Sequence, residues 1–109
     1  MERGELYRVG TTPPADPRRF RIYCVVSRAA LIRSTYQTLI CAPVYSSRLG
    51  LETEVLIGES EGLRHASALR CDELTSVPRS ELRAFVGRLS PARLTELDLA
   101  LATALDLRR

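Results

Sequence analysis

The 109-residue sequence predicts a mainly β protein, mostly antiparallel and barrel-like, ending in one C-terminal helix. Three observations carry that prediction. Apolar runs are short and separated by Gly, Pro and polar turn signals, which punctuate strands rather than long helices. Before Ser27 the sequence alternates, with Phe20, Ile22, Cys24 and Val26 on one face and Arg19, Arg21, Tyr23 and Val25 on the other. After Leu89 the period changes: Leu94, Leu97, Leu101 and Leu105 recur at helical spacing. Short strands in a curved sheet favour closure, which removes exposed edges. A single domain over residues 1–109 is expected, because two cores would not fit this length.

The first strand is predicted over Glu5–Val9, ended by the breaker-rich loop from Gly10 to Pro17. The second runs over Arg19–Ser27, and Arg28–Arg33 forms a short helix or an irregular crossover. The third spans Tyr36–Val44, with Pro43 marking an edge, a bulge or the strand end because it cannot donate to a ladder. The fourth, Leu51–Ile57, alternates with Glu52 and Glu54 turned away from Leu51, Val55 and Ile57, and is expected to form a hairpin with the third. Glu59–Leu63 holds one helical turn, and Ser67–Val77 reads as a fifth strand. Pro78–Leu82 suits a short helix and Ala84–Leu89 a sixth strand. Ser90 is a good N-cap and Pro91 a good first helical residue, so the terminal helix starts there. Leu99, Ala102 and Leu107 lie off its leucine stripe and are available to a second subunit.

Composition narrows the class. Hydrophobic residues at 45% and charged residues at 27% exclude a mainly disordered chain. No apolar run approaches the roughly 18–20 residues of a membrane span. The charged start Met1-Glu2-Arg3-Gly4-Glu5 lacks a signal peptide's apolar core, so a cytoplasmic location without a membrane partner is expected. Cys24, Cys41 and Cys71 are widely spaced and odd in number, which points to buried free thiols rather than disulfides or a metal site. Neither a metal nor a cofactor is expected, and GxGxxG and GxxxxGK are absent. His65 is the one histidine, which rules out a two-histidine nuclease site within one chain and reads as a loop residue. The net charge is +3 and all 16 basic residues are arginines, whose planar fork grips phosphate.

Two groupings stand out. Arg18-Arg19-Phe20-Arg21 places three arginines around one aromatic, as a phosphate-plus-stacking surface requires, although a solvated loop end has the same composition. Tyr45-Ser46-Ser47-Arg48 follows a strand and offers hydroxyls that could bond a phosphate oxygen or relay a proton, or simply line a polar loop.

Read together, the blocks of this sequence resemble the MazF/PemK toxins of bacterial toxin–antitoxin pairs. The resemblance rests on Arg3-Gly4-Glu5-Leu6-Tyr7, Arg21-Ile22-Tyr23-Cys24-Val25-Val26-Ser27, Cys41-Ala42-Pro43-Val44-Tyr45-Ser46 and Thr53-Glu54-Val55. It continues through Gly62-Leu63, Ser67, Cys71-Asp72-Glu73-Leu74-Thr75-Ser76-Val77 and Val86-Gly87-Arg88-Leu89-Ser90, in the family's order. It implies an SH3-like small barrel of the CcdB/PemK type and usually a homodimer. It also implies metal-independent, sequence-specific cleavage of single-stranded RNA, chiefly mRNA, and an antitoxin partner whose disordered tail covers the RNA groove.

The family's central arginine matches Arg21. Its following threonine matches Tyr45, a departure that leaves the hydroxyl role among Ser46, Tyr45 and Ser47; the usual proline after the arginine is Ile22. On this reading the RNA 2′-hydroxyl attacks phosphorus and Arg21 stabilises the added charge, since arginine keeps its proton. Arg18, Arg19 and Arg48 guide the backbone, Phe20, Tyr23 and Tyr45 stack on bases, and Asp72 and Glu73 accept from base edges or form strand-end salt bridges. The alternatives are a CcdB-like gyrase poison, whose Trp-Gly-x-Ile ending this chain lacks, and a non-catalytic relative that binds RNA or antitoxin.

Overall fold

The computed structural model describes residues 1–10 and 21–107. The predicted loop over 11–17 and the first two residues of the predicted second strand, Arg19 and Phe20, lie outside these. Among the described residues seven strands form: β1 Glu5–Val9, β2 Arg21–Val25, β3 Thr38–Tyr45, β4 Glu54–Ile57, β5 Ser67–Arg70, β6 Thr75–Pro78 and β7 Leu82–Arg88. Two α-helices accompany them, α1 Ala29–Arg33 and α2 Pro91–Ala104, together with 3-10 turns at Glu59–Glu61, Cys71–Glu73 and Arg79–Glu81. No helix among the described residues is long and apolar enough to cross a membrane.

All pairings are antiparallel, in the order β4-β5-β3-β2-β1-β7, with β6 also on β3. The predicted hairpin between the third and fourth strands does not form, because β5 lies between β3 and β4 and pairs with both. The predicted fifth strand is two. Tyr45 pairs with Ala68 and Cys41 with Thr75, so β3 advances four residues while its partner advances seven. The three extra residues are the Cys71–Glu73 turn, which buries Cys71 and throws Asp72 and Glu73 outward. Pro43 does not end β3; it sits opposite Tyr23, between the end of the β6 ladder at Cys41 and the start of the β5 ladder at Val44. A residue that cannot donate is tolerated where the strand exchanges one partner for another.

The sheet is buried on both faces. Leu6, Cys24, Val26, Ala42, Leu69 and Val55 pack toward α2 residues Leu97 and Ala100, while Tyr7, Val25, Cys41, Leu39, Val77 and Leu82 pack with Ile32 of α1. Each such leucine stabilises the fold by roughly 1.5–3 kcal/mol. The three cysteines are buried free thiols, and burial pushes Cys41 up to about 12 and Cys71 up to about 11.

Helix α2 begins as its sequence predicts: the Ser90 hydroxyl accepts from the Arg93 N–H at 3.2 Å, and Pro91 occupies the first turn. Leu97 is buried, and Leu94 and Leu101 are packed on the core, but Leu105 is 54% exposed. The helix stops at Ala104 and Asp106 turns into the left-handed region at φ 55°, so Leu105 is no longer carried along the stripe. Arg3 ties the layers together, donating to the Val26 carbonyl at 3.0 Å and to Asp98 of α2 at 2.8 Å.

The described strand pairing ends at β4 and β7, and the gap is bridged by backbone contact instead of a ladder. A Cβ at Gly62 would collide with the Val86 carbonyl, and one at Gly87 with the Glu61 carbonyl. Gly62 also has φ +91°, a conformation that favours glycine. The Glu59–Glu61 turn therefore lies directly on β7 and encloses one side of a groove.

Candidate functional site

That groove holds about 740 Å³ and is lined by Arg8, Arg21, Ile22, Val44, Tyr45, Ser46, Gly62, Leu63, Arg64, His65, Ser67 and Val86. Its floor comes from β2 and β3, and one wall from the segment after β4. Four residues of the lining carry basic side chains in the form of three arginines and a histidine, and Tyr45 stands at the end of β3.

Continuing the β2–β3 register from the Tyr23–Pro43 pair sets Arg21 opposite Tyr45. The exposed Arg21 guanidinium lies 5.8 Å from the Tyr45 ring centroid. The neighbouring Tyr45 hydroxyl is the first of the influences that push Arg21 further up. The Tyr45 hydroxyl in turn donates to Glu73 Oε1 at 2.7 Å. Arg70 covers the ring with its guanidinium carbon 3.8 Å from the centroid, close enough for a cation–π contact.

Arg70 is the hub of this cluster. It donates to the Ser47 hydroxyl at 2.9 Å and to Glu73 at 3.4 Å, and lies 3.7 Å from Glu54. Its Nε is buried without a hydrogen-bond acceptor, so it interacts with Glu54 as a charge rather than through a bond. Glu54 was expected to face outward beside Glu52. Instead its side chain is 1% exposed and accepts from the Leu49 and Leu51 N–H groups at 3.0 Å each. Desolvation raises its pKa, but these backbone donors, Gly50 and the Arg70 charge outweigh that and leave it lowered. The buried carboxylate thus supports both the loop after β3 and Arg70.

The other sequence-predicted residues divide. Tyr45, Ser46 and Arg21 meet in the groove, and Ser47 and Glu73 join them through Arg70. Tyr23 does not face the groove as a stacking platform; it packs partly buried against the α1-side core. Arg48 does not stand ready to guide a backbone: its guanidinium donates to the Ser67 carbonyl at 3.1 Å and the Ile57 carbonyl at 2.8 Å, holding the loop to β4 and β5. Asp72 is exposed and accepts from the Thr53 hydroxyl through one of its carboxylate oxygens. Arg18, Arg19 and Phe20 lie outside the described residues. Sequence reasoning missed Arg70, Glu54, Arg8 and Arg64. Arg70 had one visible signal, a charge inside the apolar run Ala68-Leu69-Arg70-Cys71.

A bent antiparallel sheet with one terminal helix and an arginine-lined groove defines a small, mainly β fold with a basic cleft. Solved structures share it: Mycobacterium tuberculosis toxin MazF-mt6 superposes with a TM-score of 0.82 at 23% identity, over 96% of this chain and 99% of that one. MazF from Deinococcus radiodurans gives 0.73 at 23% identity over 97% and 96% of the two chains. An endoribonuclease in complex with its cognate antitoxin from a mycobacterial species gives 0.83 at 25% identity over 100% and 98%. In sequence, Endoribonuclease MazF4 of Mycobacterium tuberculosis is 29% identical over 105 residues, 96% of this chain and 92% of that protein. Residues 2–105 match the family of PemK-like, MazF-like toxins of type II toxin–antitoxin systems, and the chain belongs to that family.

Proposed function

We propose that this chain, an endoribonuclease and the toxin of a type II toxin–antitoxin module, cuts single-stranded RNA in the groove between Arg21 and the Gly62–His65 segment. The observation that carries the reading is the Arg21–Tyr45 pair: a guanidinium and a phenol line the groove together, 5.8 Å from guanidinium carbon to ring centroid, where a phosphodiester would lie. The RNA's own 2′-hydroxyl attacks the adjacent phosphorus, giving a 2′,3′-cyclic phosphate and a 5′-hydroxyl. Arg21 stabilises the charge that builds on the phosphoryl oxygens. Arg8 and Arg64 line the same groove and place positive charge along the path of the backbone. The chemistry calls for no metal or cofactor. Tyr45 takes the hydroxyl role of the family's threonine, with Ser46 beside it at the groove.

The partner is a cognate antitoxin whose disordered tail occupies this groove and so blocks RNA. The chain acts as a cytoplasmic homodimer and, by cutting mRNA, inhibits translation and growth.

Cleavage of a long single-stranded RNA in EDTA, with the 5′ ends mapped, tests this reading. Discrete cuts are expected, and Arg21→Ala should slow them by about 10²–10³-fold. A 2′-O-methyl group at the cut site should stop the reaction. Folded, antitoxin-free protein that leaves RNA intact, or cuts the 2′-O-methyl substrate equally well, would overturn it.

A further inference from the structure

The Tyr45 hydroxyl hydrogen is committed. It points at Glu73 Oε1, 2.7 Å away, and Glu73 is there because the three-residue turn at Cys71–Glu73 interrupts the strand beside β3. A hydroxyl that donates to a carboxylate presents its lone pairs elsewhere, and here the Arg21 guanidinium lies 5.8 Å from the ring centroid. Resting on the cleavage reading above, we propose that Glu73 is the proton acceptor of the reaction and works through Tyr45, so that the two form one relay.

The step balances. The 2′-O–H bond breaks as its hydrogen passes to Tyr45 Oη, and the original Oη–H hydrogen passes to Glu73 Oε1. The freed 2′-oxygen forms its bond to phosphorus, and the P–O5′ bond breaks with its electron pair leaving on O5′. O5′ takes a proton from water in the open groove, and Glu73, whose side chain is 47% exposed, returns its own to solvent. Negative charge that passes through Oη falls near two guanidiniums, Arg70 at 3.8 Å and Arg21 at 5.8 Å from the ring centroid. Arg70 also fixes the geometry, since it holds the ring face at 3.8 Å and the second Glu73 oxygen at 3.4 Å. A carboxylate supplies what an arginine, always protonated, cannot: an oxygen able to take up a proton.

This assigns to Glu73 a different task from reading base edges. Its test is single-turnover cleavage across a pH series with Glu73→Gln, Tyr45→Phe and the double variant, each checked for folding by circular dichroism. Each single variant should lose about 10²-fold in rate, in the range removal of a general base produces. Both should also lose the acid limb of the pH–rate profile, and the double variant should be no slower than either single one, because the two residues act as a unit. If Glu73→Gln keeps the wild-type rate and acid limb, or if the two losses multiply, the relay is wrong. That failure is distinct from failure of the cleavage reading, in which the wild-type protein makes no cuts or Arg21→Ala cuts as well as wild type.

Discussion

Glu54 is the residue on which the site's electrostatics turn. It is acidic, nearly fully enclosed, and charged, a combination that persists only with donors around it. Its carboxyl titrates below its ordinary 4.5 in the folded chain. A carboxyl lowered on folding adds stability above the unfolded range, and that contribution fades as pH falls through the lowered folded value. Glu54→Gln should therefore destabilise the protein at pH 7, by about 1–3 kcal/mol if the backbone donors lose a charged acceptor. The deficit should shrink in acid. Urea midpoints at pH 7 and near pH 3 measure it, and an equal deficit at both would contradict the lowered carboxyl. The sequence pattern set Glu54 on the outer face, since alternation with Val55 and Ile57 is all that a strand's period reveals. The loop from Leu49 to Leu51 folds back over that face and converts it into an enclosed one, a contact that periodicity cannot carry.

Among the elements, the turn at Glu59–Glu61 against β7 decides the shape of the groove. Backbone meets backbone there without a side chain between, so Gly87→Ala forces the turn outward. The expected cost is roughly 1–3 kcal/mol from overpacking. Cleavage should fall as well, because Gly62, Leu63, Arg64 and His65 move with the turn. Thermal unfolding and cleavage assays on Gly87→Ala check both, and unchanged stability would mean that the contact yields easily. Most elements were legible. The first strand and the start of the terminal helix agree with their local patterns, since alternation and an N-cap followed by proline are local signals. The division of the Ser67–Val77 run was not, because both halves are apolar and only the bend of β3 demands the three-residue offset between them.

Across the whole molecule, the proposed cleavage site makes charge the means of holding RNA. The net charge is only +3, so on that proposal affinity depends on arginines gathered in one groove rather than on overall charge. Binding to single strands should weaken with salt, each neutralised phosphate contributing about 0.7 to the log–log slope. Arg64→Ala should reduce that slope by about 0.7 without changing which sites are cut. Titrations of a non-cleavable 2′-O-methyl RNA at several salt concentrations measure it; an unaltered slope would remove Arg64 from the RNA path. Of the residues off the leucine stripe, Leu99 and Leu107 are exposed but Ala102 is buried, and Leu105, on the stripe, is exposed because the helix stops before it.

By itself the sequence determined the fold class and the family and singled out Arg21 as a candidate, because strand alternation, helix caps and ordered blocks of residues are all written along the chain. It also marked Tyr45 as the departure from the family's threonine. Only the tertiary structure decided what that departure is joined to. Arg70 and Glu73 reach Tyr45 from the far end of β5 and the turn after it, and Glu54 reaches Arg70 from β4. Such a cluster depends on the register of β5 on β3 and on a three-residue interruption in it, and register is fixed by packing on both faces of the sheet rather than by any local pattern.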